Sequence, residues 1–204
     1  GHFCFYTWLY RKKLNIKELE QLADEIRQEI LTSTLKNGGH LSSNLGIVET
    51  TIALYYTFDL PTDKLVFDVG HQCYTYKLLT GREERFNTLR QAGGISGFPK
   101  REESEYDFYD TGHAGTSVSA AIGLAKARDL LGEDSFVIAY IGDGSFNNGL
   151  VYEALNSLKI LNTNILIVLN DNGMSISPTV GGMYDIITQI KENNSSENIK
   201  LLES

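Results

Sequence analysis

The sequence predicts an α/β protein, a three-layer α/β/α sandwich around a mainly parallel sheet. Residues 136–141 and 165–169 are nearly continuous apolar, β-branched runs, as expected of strands buried on both faces. Residues 150–161 between them read as a helix, and a strand, crossover helix and strand of this length make a parallel pair. Both runs end in polar, glycine-bearing turns, Gly142-Asp143-Gly144 and Asn170-Asp171-Asn172-Gly173-Met174. Asp143 and Asn172 therefore emerge at the carboxyl ends of neighbouring strands, where open α/β sheets bind ligands.

The other elements follow in order. Residues 1–13 read as a tag remnant or an unsettled lead-in, because the chain starts at Gly1 and its short aromatic stretch has basic residues after it rather than before. Asn15 caps a helix over 15–31, with Glu18 at the position that reaches back. Ile16, Leu19, Leu22, Ala23, Ile26 and Ile30 give it one apolar face. The polar turn 36–44 ends it, and a second helix is expected from 44 to 58. Residues 64–69 form the next strand, with Gly70-His71-Gln72 directly at its end.

Short helices are expected over 74–79 and 82–91. The stretch 91–110 mixes glycine, charge and aromatic residues without periodicity, as a long ordered loop over a site or an interface segment does. The glycine-bearing lead-in 111–117 opens an alanine-rich helix that ends near Gly132, with small residues for close packing. Residues 183–191 read as one more helix and 191–204 as a polar tail. The expected division is a lead-in over 1–13, a ligand-binding domain over 14–182, and a helix and tail over 183–204.

A length of 204 residues allows one sizeable core. With 18 Lys and Arg against 26 Asp and Glu, the net charge of -8 argues against nucleic-acid and anionic-membrane partners. Residues 3–10 are too short an apolar stretch to span a bilayer. Cys4 and Cys73 stand apart without zinc spacing, so they read as free thiols of a cytoplasmic protein.

An acidic residue between two glycines, beside an Asn-rich turn, offers hard oxygen ligands and close backbone approach, which suits Mg²⁺ shared with a phosphate-bearing cofactor. A dinucleotide-binding turn is the rival, but after Gly142 and Gly144 the next glycine is Gly149, and the residue between the first two is a carboxylate. At about 4 Å a carboxylate repels a diphosphate charge by roughly 4 kcal/mol at an effective dielectric of 20, and an intervening dication reverses that sign. A merely structural turn stays open as a third reading. His40 sits in a glycine-bearing turn and His71 at a strand end, which makes His71 the better placed of the two for chemistry.

The chain resembles the N-terminal, diphosphate-binding part of the 1-deoxy-D-xylulose-5-phosphate synthases, a transketolase-like, thiamine-diphosphate-dependent family. The resemblance spans roughly 14–182. It rests on Gly39-His40-Leu41-Ser42-Ser43-Asn44-Leu45-Gly46, Asp68-Val69-Gly70-His71-Gln72, Lys77-Leu78-Leu79-Thr80-Gly81-Arg82, Ser104-Glu105-Tyr106-Asp107, Gly112-His113, Gly142-Asp143-Gly144 and the Asn170 to Met174 turn.

That resemblance implies that Asp143, the Asn172 side chain and the Met174 carbonyl hold Mg²⁺. It also implies that His71, Gly112, His113, Ala114, Gly144, Ser145 and Asn172 line thiamine diphosphate, and that His40 and His71 are catalytic, moving protons while the cofactor supplies the electron sink. The implied reaction joins pyruvate and D-glyceraldehyde 3-phosphate into 1-deoxy-D-xylulose 5-phosphate with loss of CO2, in a homodimer or in association with pyrimidine-binding and C-terminal domains. The family's activating glutamate and phosphate-gripping residues belong to those later domains, so the chain is expected to be inactive alone.

Three departures from the family pattern stand out. Ala114-Gly115 stand where two serines are common, Ser145-Phe146-Asn147-Asn148 replace a run of small residues and threonine, and Thr75-Tyr76 replace a Pro-His pair. Tyr76 and Phe146 are expected at the pocket mouth or an interface. An N-terminal subunit of a split transketolase-like enzyme and a non-catalytic diphosphate-binding remnant are the alternatives.

Overall fold

The computed structural model describes residues 14–172, 180–182, 184–186 and 188–189. Seven α-helices and three strands are described in the order α1 (Ile16–Asn37), α2 (Leu41–Leu45), α3 (Val48–Thr57), β1 (Lys64–Phe67), α4 (Tyr74–Leu79), α5 (Ser117–Leu131), β2 (Val137–Gly142), α6 (Asp143–Phe146), α7 (Gly149–Leu161) and β3 (Leu166–Asn170). A 3₁₀ helix covers Glu83–Thr88. The sheet is parallel, in the order β1-β2-β3.

Each strand's alternation divides the core in two. Leu65 and Phe67 of β1 and Ile138 and Tyr140 of β2 face a cluster built with Ile26 and Ile30 of α1, Val48 and Ile52 of α3, and Leu78 and Leu79 of α4. Val137, Ala139 and Ile141 face the opposite cluster, with Val118, Ala121 and Ala125 of α5 and Val151 and Ala154 of α7. Helices thus cover both faces, and the three layers expected from the apolar runs are present.

The caps behave as the residues dictate. Asn15 and Glu18 form a reciprocal capping box at the start of α1, at 3.2 and 2.8 Å. Helix α1 runs on to Asn37, past the expected end, because its last turns are tied to the body. Ser33 Oγ donates to the Phe86 carbonyl at 3.0 Å, and Asn37 Nδ2 donates to the Asn87 carbonyl at 2.9 Å.

Three expectations change. The helix read over 44–58 is two helices, broken at Gly46 and Ile47, with the Asn44 side chain turned into the core instead of along a helix face. The stretch 82–91 tightens into the 3₁₀ helix, and β1 ends at Phe67 because Asp68 and Val69 leave the strand path, Val69 at φ +58°. Described residues 184–186, 188 and 189 are helical, while the 1–13 lead-in and the 191–204 tail lie outside the described residues. Among the described residues, no helix is long and apolar enough to cross a membrane.

Candidate active site

The carboxyl edge of the sheet gathers three loops. The first carries His40, at the N-cap position of α2. Its ring meets the His71 ring edge-on, with centroids 5.0 Å apart and planes at 67°, and the Phe98 ring lies 6.3 Å from it. The His40 amide donates to the Tyr74 hydroxyl at 3.4 Å. Asn44, 0% exposed, donates from Nδ2 to the carbonyls of His40 (2.6 Å) and His71 (2.9 Å) and accepts the Tyr74 amide on Oδ1 at 2.9 Å.

The second loop follows β1. A φ of +58° is costly for the β-branched Val69, and such strained backbone clusters at functional sites. Gly70 follows at φ +86°, where a Cβ would meet Thr111 Oγ1 and lie 2.6 Å from Pro99 Cδ. The loop is thereby pressed against the 99 and 111 segments. Asp68, 1% exposed, accepts the amides of Gly115 (2.9 Å on Oδ1) and Ser117 (3.1 Å on Oδ2), and its carbonyl accepts the Gly70 amide at 2.6 Å. One residue therefore anchors both, its carbonyl holding the His71 turn and its carboxylate the loop of Gly112, His113 and Ala114, three exposed residues at the entry to α5. Thr116 Oγ1 donates to the His113 carbonyl at 3.1 Å.

The third element is the turn after β2. Gly142 pairs with Asn170 across the parallel register, so Asp143, first residue of α6 and 6% exposed, lies beside the end of β3 that leads to Asn172. Gly144 is exposed and Ser145 half-buried, and the Ser145 carbonyl accepts the Asn148 amide at 3.0 Å. Met174 lies outside the described residues. Among the described residues, no group of three or more His, Cys, Asp or Glu side chains is arranged to hold a metal. The expected Mg²⁺ set is of another kind: one carboxylate, one amide oxygen and one backbone carbonyl, all hard ligands.

Both histidines are held below the ordinary value of 6.5. For His71 burial does most of this, the neighbouring His40 adds to it, and the Asp68 carboxylate opposes. For His40 burial comes first and the Arg90 charge second. The imidazoles are thus neutral at pH 7, free to accept a proton. Among the described residues the buried Nδ1 of His71 has no hydrogen-bond partner.

Asn44, Asp68 and Tyr74 were not marked as site residues by sequence reasoning, because nothing in their spacing announces that they are buried. Tyr76 is a correction: it is 1% exposed, its hydroxyl donates to the Tyr106 carbonyl at 2.8 Å, and Arg82 lies 5.9 Å over its ring, so it belongs to the core and not to a pocket mouth. Phe146 packs against the second core cluster, with Tyr152 6.3 Å away. The 91–110 stretch is a loop pinned from within by Lys77–Glu103 and Arg82–Asp107 ion pairs, and it carries Phe98 to His40.

A parallel sheet covered on both faces, with its polar loops gathered at the carboxyl edge, defines a three-layer α/β/α protein of the ligand-binding kind. A solved transketolase variant from Pichia stipitis superposes with a TM-score of 0.67 at 24% identity, covering 78% of this chain and 28% of the other, which establishes the fold. The 1-deoxy-D-xylulose-5-phosphate synthase family matches residues 10–203, and the chain belongs to that family. The synthase of Listeria innocua is 48% identical over 204 residues, covering 97% of this chain and 32% of the relative. That of Dictyoglomus turgidum is 56% identical over 182 residues, covering 89% and 29%. The chain therefore spans about a third of the length of these relatives.

Proposed function

We propose that this chain forms the diphosphate- and metal-holding half of the active site of a thiamine-diphosphate-dependent transferase. The reaction joins pyruvate to D-glyceraldehyde 3-phosphate, with release of CO2, giving 1-deoxy-D-xylulose 5-phosphate for isoprenoid, thiamine and pyridoxol synthesis in the cytoplasm. The observation that supports it best is the convergence on one sheet edge of the His40–His71 pair, the Asp68-anchored Gly112 to Gly115 loop and the buried Asp143.

The residues suit the cofactor chemically. Asp143, Asn172 and the Met174 carbonyl would hold Mg²⁺, and Gly112, His113, Ala114, Gly144 and Ser145 would line the diphosphate. The unpartnered Nδ1 of His71 leaves one polar atom to be satisfied at the site. When bound, thiamine diphosphate supplies the electron sink for decarboxylation. His40 and His71, neutral at pH 7, would take up and return protons beside it, and Phe98 and Pro99 would exclude water from their side. Assembly with a second copy or with a pyrimidine-binding region is part of this reading, and the exposed Leu130, Leu131 and Ile160 support it.

Calorimetric titration of thiamine diphosphate tests the proposal. Heat is expected with Mg²⁺ present and is expected to vanish in EDTA or in Asp143→Ala. Equal heat in Asp143→Ala, or none in either this chain or one extended by a pyrimidine-binding domain, overturns it.

A further inference from the structure

We propose that Asn44 is a positioning residue that holds His40 and His71 as a pair. Its three side-chain hydrogen bonds reach the segments that make up the pair: both hydrogens of Nδ2 go to the two histidine carbonyls, and Oδ1 takes the Tyr74 amide. Tyr74 closes the arrangement, since its hydroxyl accepts the His40 amide at 3.4 Å. One planar amide therefore sets the distance between two backbone segments that otherwise belong to different elements, the entry to α2 and the turn after β1.

The local chain is shaped for this. The helical path breaks at Gly46, two residues after Asn44, so a residue that would have lain on a continuous helix face instead sits fully buried between the two turns. One bond of Asn44 is local, to the His40 carbonyl four residues back at the cap of α2, and the other two cross to the turn after β1, reaching the His71 carbonyl and the Tyr74 amide. The side chain uses its whole donor capacity on the two histidines, whose rings then meet at 5.0 Å. Mutual orientation matters because a proton-transferring imidazole works only within hydrogen-bond reach of its target.

The catalytic meaning of the pair rests on the proposed function, but the pair itself is measurable without cofactor. In the 204-residue chain, histidine-labelled NMR reads the ring-to-ring cross-peak of His40 and His71 and the midpoint at which each imidazole titrates. Asn44→Asp keeps the acceptor for Tyr74 and turns the two donors into an acceptor facing two carbonyls. In that variant the cross-peak is expected to fall by more than half, and both midpoints are expected to rise toward 6.5 as the rings part and hydrate. Affinity for thiamine diphosphate with Mg²⁺ is expected to weaken about tenfold, the usual consequence of losing a residue that orients a ligand-facing one.

Asn44→Ser, which keeps one donor and leaves room for a water, serves if Asn44→Asp does not fold. A folded variant with an unchanged cross-peak and unchanged midpoints overturns the proposal. Failure of both variants to fold overturns it too, because Asn44 would then belong to the folding core and not to the pair. If neither the unsubstituted chain nor one extended by a pyrimidine-binding domain binds thiamine diphosphate, the functional reading falls while the ring contact still decides the role of Asn44.

Discussion

Gly115 and Asn148 are fitted to each other: a Cβ on residue 115 would lie 2.6 Å from Asn148 Cγ and 2.7 Å from its Cβ. Asn148 caps α7, accepting the Leu150 amide at 3.1 Å, while Gly115 sits at φ +83° and donates its amide to Asp68. Both positions depart from the pattern of the family the chain resembles, and the packing makes the two departures one, since the amide at 148 fills the space that a side chain at 115 would need.

Gly115→Ala is therefore expected to cost about 3 kcal/mol, roughly half from the left-handed backbone and half from the overpacking. Asn148→Gly alone removes a cap and is expected to cost only a few tenths of a kcal/mol, or roughly 0.5, since Gly is tolerated at N-caps. The double variant should recover the packing share, so the two changes couple by about 1 kcal/mol or more in urea unfolding. Strict additivity would sink the idea that they are one fitted pair.

Asp68 is the hinge between the His71 turn and the Gly112 to Gly115 loop. Asp68→Asn keeps one acceptor and turns an N–H toward the other donor, so one of the amides of Gly115 and Ser117 loses its partner, at about 1–3 kcal/mol for a buried group. Hydrogen exchange at those two amides should accelerate before the rest of α5 opens. Unchanged exchange at both would show that the loop is held by other contacts.

The strands were readable from the sequence within two or three residues, because a run buried on both faces carries its own signal. β2 and β3 differ from the expected 136–141 and 165–169 by one residue at each end. Helix α1 was readable from its apolar spacing and its cap, α5 from its run of alanine and other small residues, and α7 as the crossover between two strands. The break between α2 and α3 was not, because it depends on where the Asn44 side chain finds partners, and those lie in segments remote in sequence. Burial of Lys77 and Arg82 escaped for the same reason: a charged residue reads as exposed until its carboxylate partner is placed beside it. His40 and His71 were flagged one at a time, and only the fold brings their rings together.

The depressed histidines give the fold a pH dependence of definite sign. In the unfolded chain His40 and His71 titrate near 6.5, while in the folded chain they do so lower. Below pH 6.5 the unfolded state therefore binds more protons, and stability falls as pH drops toward the folded values, whereas above 6.5 the pair contributes no slope. His71→Gln should flatten the decline between pH 6.5 and 5 in thermal unfolding. An identical decline in that variant would assign the effect to other groups.

The Arg82–Asp107 pair carries the last expectation. Both side chains are buried, Arg82 Nη2 reaches Asp107 Oδ1 at 3.0 Å, and Asp107 Oδ2 also accepts the Lys100 amide at 2.8 Å. Removing one partner strands a buried charge, so Asp107→Ala is expected to cost about 3–5 kcal/mol, whereas Arg82→Met combined with Asp107→Leu should cost less than either single change. The energetic penalty comes with a local consequence. The Lys100 amide lies next to Pro99, which presses on Gly70, and close to Phe98, which faces His40, so loosening Asp107 should free the wall beside the histidine pair. Hydrogen exchange over 96–101 in Asp107→Asn, which keeps the size of the side chain but not its charge, checks this. Faster exchange there than in α5 places the ion pair as the brace of that wall, and uniform exchange across both would make it a contributor to global stability alone.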